Sequence, residues 1–337
     1  VTRLKDVAKA AGVSIRTITR VLNDAPDVNV KTRKQVRRLL ASLNYRPHRG
    51  ARSLKMRTSH SVVFLTPDLD ELTAAKAAAL ERRLREADYS LEMLFCRRGG
   101  SAGAREREVV DELEDRRPIA AVLLHPDGAL RQAVAKAVPA CVVMDAAPDL
   151  THDAIFIDRP QGVYEAVAHL LRGGRTRPAY IGGEGDPGGR LAGYRRALSE
   201  WPAPLAPLIF TPAEIGRSFD DQFLFGRAAA KRIAALPEDR RPDALQAYTD
   251  VLALGLLNGF HACGIRTPEQ IAVIGFDDRD AAAFSTPRLT TVAQPDEEVG
   301  RTAAEMILEK IGQTKGKSIR KIPRRIVPTR LVVRDSA

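Results

Sequence analysis

Leu4, Val7, Ala8 and Ala11 fall at i, i+3, i+4 and i+7, the spacing that gives a helix one buried stripe. Gly12 ends that helix. Ser14 then stands where a second helix needs an N-cap, with Val13 before it and Ile18 four residues inside as a hydrophobic staple. Ile18, Val21 and Leu22 form the inner face of this second helix and leave Ile15, Arg16, Thr19 and Arg20 outside. A third helix starts from an Asn29 cap, with Val36, Leu39, Leu40 and Leu43 on one stripe and Lys31, Arg33, Lys34, Arg37 and Arg38 on the other face. Pro47 breaks it. The stretch "RGARSLKM" that follows has room for barely two helical turns, contains Gly50 and has no apolar partner face, so it is marginal as a helix alone.

From about residue 60 the pattern changes to short apolar runs alternating with amphipathic stretches. "SVVFLT", "SLEMLF", "IAAVLL", "ACVVM", "PAYIGG", "DALQAY" and "IAVIGF" predict strands, and residues 70–88, 104–116, 160–173, 187–200, 250–262 and 295–312 predict helices. This βαβ rhythm implies parallel sheets, and the length suffices for two lobes. The fold class is therefore an N-terminal all-α helix-turn-helix headpiece plus an α/β core of two doubly wound parallel-sheet lobes. The boundaries are 1–46 for the headpiece, 47–58 for a hinge helix or linker, and 59–337 for the core.

Charge sharpens this division. Residues 1–60 hold 15 Lys and Arg against three acids, whereas the other 277 residues carry 38 basic and 39 acidic side chains. The net +11 of the chain thus belongs to the N-terminal 60 residues, headpiece and hinge together, as expected of a nucleic-acid-binding module. A second helix of a helix-turn-helix enters the major groove, where an arginine reads guanine O6 and N7 and an aliphatic side chain packs on a thymine methyl. Ile15, Arg16 and Arg20 are the candidate base readers. Leu54, stranded among Arg49, Arg52, Lys55 and Arg57, suits insertion between base steps in a minor groove, with an ordinary linker as the alternative.

Apolar content of 44% with 5% aromatics and no low-complexity tract indicates a helix-rich globular protein. Cys96, Cys141 and Cys263 lie far apart with no CxxC pair, which predicts buried free thiols rather than disulfides or a zinc site. The six histidines are dispersed, and no nucleophile-base grouping stands out. No metal or cofactor is implied, and no enzymatic activity is expected. No apolar run reaches the ~18 residues of a membrane span, and the opening "VTRLKDVAKAAG" is amphipathic rather than signal-like, so a cytoplasmic location is expected.

The stretches "LKDVAKAAGVSIRTITRVLND", "KTRKQV", "LNYRP", "ARSLK", "RLAGYRRAL", "VIGFDD", "TPRLTTVAQP" and "LVVRDSA" resemble the lactose-repressor (LacI/GalR) family of bacterial transcription regulators over essentially the whole chain. The resemblance implies a homodimer or tetramer on double-stranded operator DNA, and a core resembling periplasmic sugar-binding proteins with a small effector, a sugar or related metabolite, in its cleft. It implies that Ser14, Thr17, Asn23, Thr32 and Tyr45 contact phosphates. Ala51 and Lys55 would lie beside Leu54 in the minor-groove hinge. Gly50 departs from the aliphatic residue expected there.

In open α/β sheets ligands bind beyond the carboxyl ends of the strands. Asp68, Asp145, Thr249, Asp250 and Asp277 follow strands, and Asp68 and Asp145 fit a helix-capping role equally well. The resemblance adds Arg190 of "RLAGY" as effector-binding arginine and makes Asp277 the effector-binding aspartate. Two departures weaken the sugar reading: "PDLDELTAAK" supplies no aromatic to stack on a sugar ring, and Thr249 offers a hydroxyl where an asparagine is usual. Phe219, Phe223 or Phe225 are candidate replacements for the missing wall. Two rival readings remain: a solute-binding protein built on the same core, and a dinucleotide-dependent enzyme using "GEGDPG", residues 183–188. The second is weak, since Glu184 and Asp186 would face a pyrophosphate with like charge.

Overall fold

A computed structural model of the chain describes residues 4–22, 28–43, 60–96, 103–146, 149–183, 189–211, 219–313 and 320–337. The chain divides between His60 and Ser61 into two compact units. The first contains α1 (Leu4–Ala11), α2 (Ile15–Leu22) and α3 (Val30–Ser42). Gly12 adopts φ +63° and closes α1: its N–H donates to Lys9 O (3.4 Å), and that of Val13 to Ala8 O (3.1 Å). These are the two bonds of a Schellman stop, which needs a left-handed residue at that position. Ser14 Oγ accepts from Thr17 N at 3.1 Å and caps α2, while Asn29 Oδ1 accepts from Lys31 N at 2.8 Å and caps α3.

Val7, Ala8, Ala11, Ile18, Val21, Val36 and Leu40 make the core of this unit, with Val13 and Leu39 half-buried against it. Leu43, expected on the α3 stripe, is exposed. The reason is length. Helices α1 and α2 have eight residues each against the 13 of α3, and at about 1.5 Å per residue neither spans its last turn.

The second unit holds two four-stranded parallel sheets. The first has the order β2 (Ser90–Phe95), β1 (Ser61–Thr66), β3 (Ala120–Leu124), β4 (Cys141–Met144). All six residues of β1 are buried, as a strand covered on both faces requires. One face packs on α4 (Glu71–Glu86) and α12 (Asp296–Gln313); the other lies against α5 (Ala104–Arg116) and α6 (Gly128–Ala137). The second sheet has the order β7 (Leu208–Phe210), β6 (Pro178–Ile181), β8 (Ala244–Ala247), β9 (Ala272–Ile274). It is covered by α9 (Phe219–Ala234) and α10 (Asp250–Ala262) on one face, and by α7 (Arg159–Arg172) and α8 (Arg190–Ser199) on the other.

Two short ribbons complete the core. β5 (Ile155–Asp158) pairs in parallel with β11 (Arg325–Pro328) on the first lobe, and β10 (Thr291–Ala293) pairs antiparallel with β12 (Arg330–Val332) on the second. The chain therefore crosses between lobes at β5 to α7, β10 to α12 and β11 to β12. These crossings are packed tightly: a Cβ on Gly162 would lie 2.1 Å from Thr329 Oγ1 and 2.7 Å from Val292 Cγ1. Between β9 and β10 lies α11 (Asp280–Phe284). Among the described residues no helix is long and apolar enough to cross a membrane. Cys96 and Cys141 are buried free thiols, but Cys263, expected to be buried, is exposed at the end of α10.

Candidate functional sites

In the headpiece the stripe of α2 turns Ile18 and Val21 inward, which leaves Ile15 49% exposed and Arg16 and Arg20 exposed. An isoleucine beside two arginines on one exposed helix face is the residue set that can meet thymine methyls and guanine edges in a major groove. Thr19 is half-buried rather than outside, its hydroxyl donating to Ile15 O at 2.9 Å. Ser14 and Thr17 sit together at the start of α2, their hydroxyls 2.9 Å apart, and Thr32 is half-buried in the first turn of α3. Asn23, Tyr45, Gly50, Ala51, Leu54 and Lys55, and the whole 47–58 segment, lie outside the described residues.

In the core a cleft of about 800 Å³ opens between the lobes at the carboxyl ends of both sheets. Asp68, Asp145, Arg190 and Asp277 line it; Thr249 does not. Asp68 is exposed and caps nothing; the cap of α4 is Asp70, whose Oδ1 accepts from Thr73 N at 2.9 Å. Asp145, at φ +55° just after β4, is buried and receives both terminal nitrogens of Arg159, with His125 Nε2 at 3.0 Å. Burial alone would raise its carboxyl, but Arg159 and His125 hold it well below the usual carboxylate range. Neither aspartate is a helix cap.

Arg190 is the first residue of α8 and is 7% exposed. Its guanidinium lies 4.3 Å from the ring centres of both Tyr248 and Phe276, and 3.9 Å from Asp277 Oδ1. Cation-π stacking of this kind fixes the plane of the fork. Asp277 accepts from Gln294 Nε2 at 2.6 Å; burial pushes its carboxyl up, against the neighbouring charges of Arg190, Arg279 and Arg159.

Thr249 caps α10 through Leu252 N (3.3 Å) and donates to Gln222 Oε1 (2.6 Å), so it is Gln222 that reaches the cleft. The adjacent Asp250 is fully buried. It accepts from Arg279 N at 2.7 Å and from the Thr291 hydroxyl at 2.5 Å, and burial together with nearby Asp277 pushes it up to about 7.

The aromatic wall does not come from the 219–225 segment. Phe223 and Phe225 do not line the cleft, Phe225 packing instead on the second-lobe core, and the side chain of Phe219 lies outside the described residues. Tyr248, just past β8, is the ring that lines the cleft, while Phe276, just past β9, is fully buried and backs Arg190 from behind. Their position in "DALQAY" and "IAVIGF" was the available signal. His125 directly follows the predicted strand "IAAVLL" and carried the same signal, whereas Arg159 and Gln294 follow β5 and β10, strands the sequence did not predict. Of "GEGDPG" only Gly183 is described. Among the described residues no group of His, Cys, Asp and Glu is placed to hold a metal ion.

Residues 3–48 match the family described as bacterial regulatory proteins, lacI family, and residues 167–337 match the periplasmic binding protein-like domain. The HTH-type transcriptional regulator DegA of Bacillus subtilis (strain 168) is 32% identical over 350 residues, spanning 99% of this chain and 98% of DegA. The HTH-type transcriptional repressor PurR of Aliivibrio fischeri (strain ATCC 700601 / ES114) is 32% identical over 318 residues, 91% of each chain. Among solved structures, the lac repressor dimer bound to operator and the anti-inducer ONPF superposes with a TM-score of 0.81 at 27% identity, covering 99% of this chain and 98% of that one.

Proposed function

Since this chain belongs to the LacI family of bacterial regulatory proteins and is a DNA-binding transcription regulator, we propose that it is a homodimeric, cytoplasmic repressor whose grip on an operator is set by a small polyhydroxylated effector in the interlobe cleft. The observation that carries the DNA half is the outward display of Ile15, Arg16 and Arg20 on a helix whose other face is core. In this reading those three address base edges, while Ser14, Thr17, Asn23, Thr32 and Tyr45 hold phosphates and Leu54, with Ala51 and Lys55, meets the minor groove. Arg20→Ala is expected to cost about 1–3 kcal/mol of operator affinity and to relax preference at one base pair. Competition against single-base operator variants measures it; equal weakening on every sequence would make Arg20 a phosphate contact.

The effector half is supported by carboxylates and guanidinium forks, which suit neighbouring hydroxyls through charge-assisted hydrogen bonds, and by the Tyr248 ring that lines the cleft beside Arg190. Arg190→Ala and Asp277→Asn are each expected to abolish the response to effector while operator binding persists. A response kept in both variants moves the site elsewhere. Homodimerisation is supported by the relative solved as a dimer on its operator. The matched relatives are regulators rather than enzymes.

A further inference from the structure

The segment after β1 that lacks aromatics brings charge to the rim of the cleft instead. Asp70 and Glu71, at the start of α4 on the first lobe, face Arg279 on the second, 209 residues away in the chain from Asp70. Arg279 Nη2 lies 2.7 Å from Asp70 Oδ2 and Nη1 3.6 Å from Glu71 Oε2, and Asp280 N donates to Glu71 Oε1 at 3.0 Å.

The loop carrying Arg279 is held rigidly. Its own N–H donates to buried Asp250, Asp277 N donates to Val292 O at 2.8 Å, and Asp278 pairs with Arg334 at 2.6 Å. Asp277 and Asp278 sit at φ +122° and +57°, backbone conformations that persist only where surroundings impose them. The residue that presents a carboxylate to the cleft and the residue that reaches across its mouth are thus two apart on one stiffened loop. Arg279 Nε also lies 3.7 Å from Asp277 Oδ2.

We propose that Asp70, Glu71 and Arg279 form a charged clasp across the cleft mouth. It sets the lobe separation at which Arg190 and Asp277 of one lobe and Asp145 and His125 of the other, with Arg159 at the β5-to-α7 crossover, address the same effector. These are positioning residues, and their bearing on regulation rests on the effector-cleft reading given above. An ordering contact that biases closure before any effector arrives raises effector affinity by the fraction of molecules already closed. Because the clasp is ionic and partly exposed, with Arg279 at 19% and Asp70 at 41%, salt screens it.

The test is interlobe energy transfer in the full chain without any effector. One dye sits on exposed Cys263 of the second lobe and one on a Glu114→Cys substitution in α5 of the first, Cys96 and Cys141 being buried. Asp70→Asn combined with Glu71→Gln removes both charges while Asn still caps α4, since Asn and Asp cap equally well. The expected result is a shift of about 3- to 30-fold from closed to open. Raising salt from about 50 to about 500 mM opens the unsubstituted lobes similarly and adds little in the variant. Arg279→Lys, which keeps the charge, is expected to stay closer to the parent than Arg279→Met.

Identical distance distributions for parent and variant at both salt levels overturn the clasp. So does a parent whose lobes ignore salt, a result that needs no substitution and stands even if the variant folds poorly. Failure of operator binding with an intact clasp response would instead strike the regulatory reading alone.

Discussion

Operator binding by this chain is expected to fall by about 10³- to 10⁵-fold between about 50 and about 200 mM salt, the loss typical of a protein that neutralises several phosphates and releases their counterions. The cause lies in one small unit. Fifteen of the 53 Lys and Arg residues occupy the first 60 positions against three acids. Lys31, Lys34, Arg37 and Arg38 are exposed along α3. The rest of the chain is close to neutral and contributes little to the slope. Anisotropy titrations of a labelled operator over a salt series give log affinity against log salt directly. Lys34→Gln is expected to lower the magnitude of that slope by about one if Lys34 pairs with a phosphate, with equal loss on specific and random duplexes. An affinity that ignores salt would remove the electrostatic basis of the DNA reading.

Arg159→Ala is expected to destabilise the core by about 3–5 kcal/mol, because it strands Asp145 in a site of 5% exposure with only His125 beside it. The pair is buried on both sides and doubly hydrogen-bonded, unlike the surface pairs of α4 and α12, which are worth about 0–1 kcal/mol each. Trp201, the single tryptophan, packs against the second-lobe cluster, so its fluorescence follows unfolding of the core in urea. The decisive comparison is a double-mutant cycle. Asp145→Ala with Arg159→Ala is expected to cost clearly less than the two single losses added, since no uncompensated charge is left behind. Additive losses would mean that the side chains act through packing rather than as an ion pair.

The headpiece was the most legible part. Its signals are local: a stripe at i, i+3, i+4, i+7, a glycine with positive φ, and a serine three residues before the amide it caps. The glycine stop and the serine cap appear as the sequence implied, and so do Val7, Ala8 and Ala11 of the α1 stripe, whereas the α3 stripe loses Leu43 to solvent. In the core, long apolar strands such as Ser61–Thr66 and helices such as Ala104–Arg116 were equally plain. β5, β7, β10, β11 and β12 were missed; they are three or four residues long, but so are β4, β6, β8 and β9, which were predicted, so length alone does not separate the two groups. Helices α6 and α9 were missed too, although they have 10 and 16 residues.

What the chain order alone determined is the division into a cationic trihelical unit and a neutral two-lobed body, together with the rule that cleft residues lie just past strand ends. That follows because helix and strand periods, caps and charge density are properties of neighbours in sequence. Which strand-end residues serve the cleft was decided only by tertiary packing. Asp145 is engaged by Arg159, Thr249 is occupied as a cap, Tyr248 and Phe276 close on Arg190, and Arg279 meets Asp70 across the mouth. Five residues past four strands look alike along the chain; the burial, charge and reach that distinguish them come from partners that only tertiary packing brings into contact.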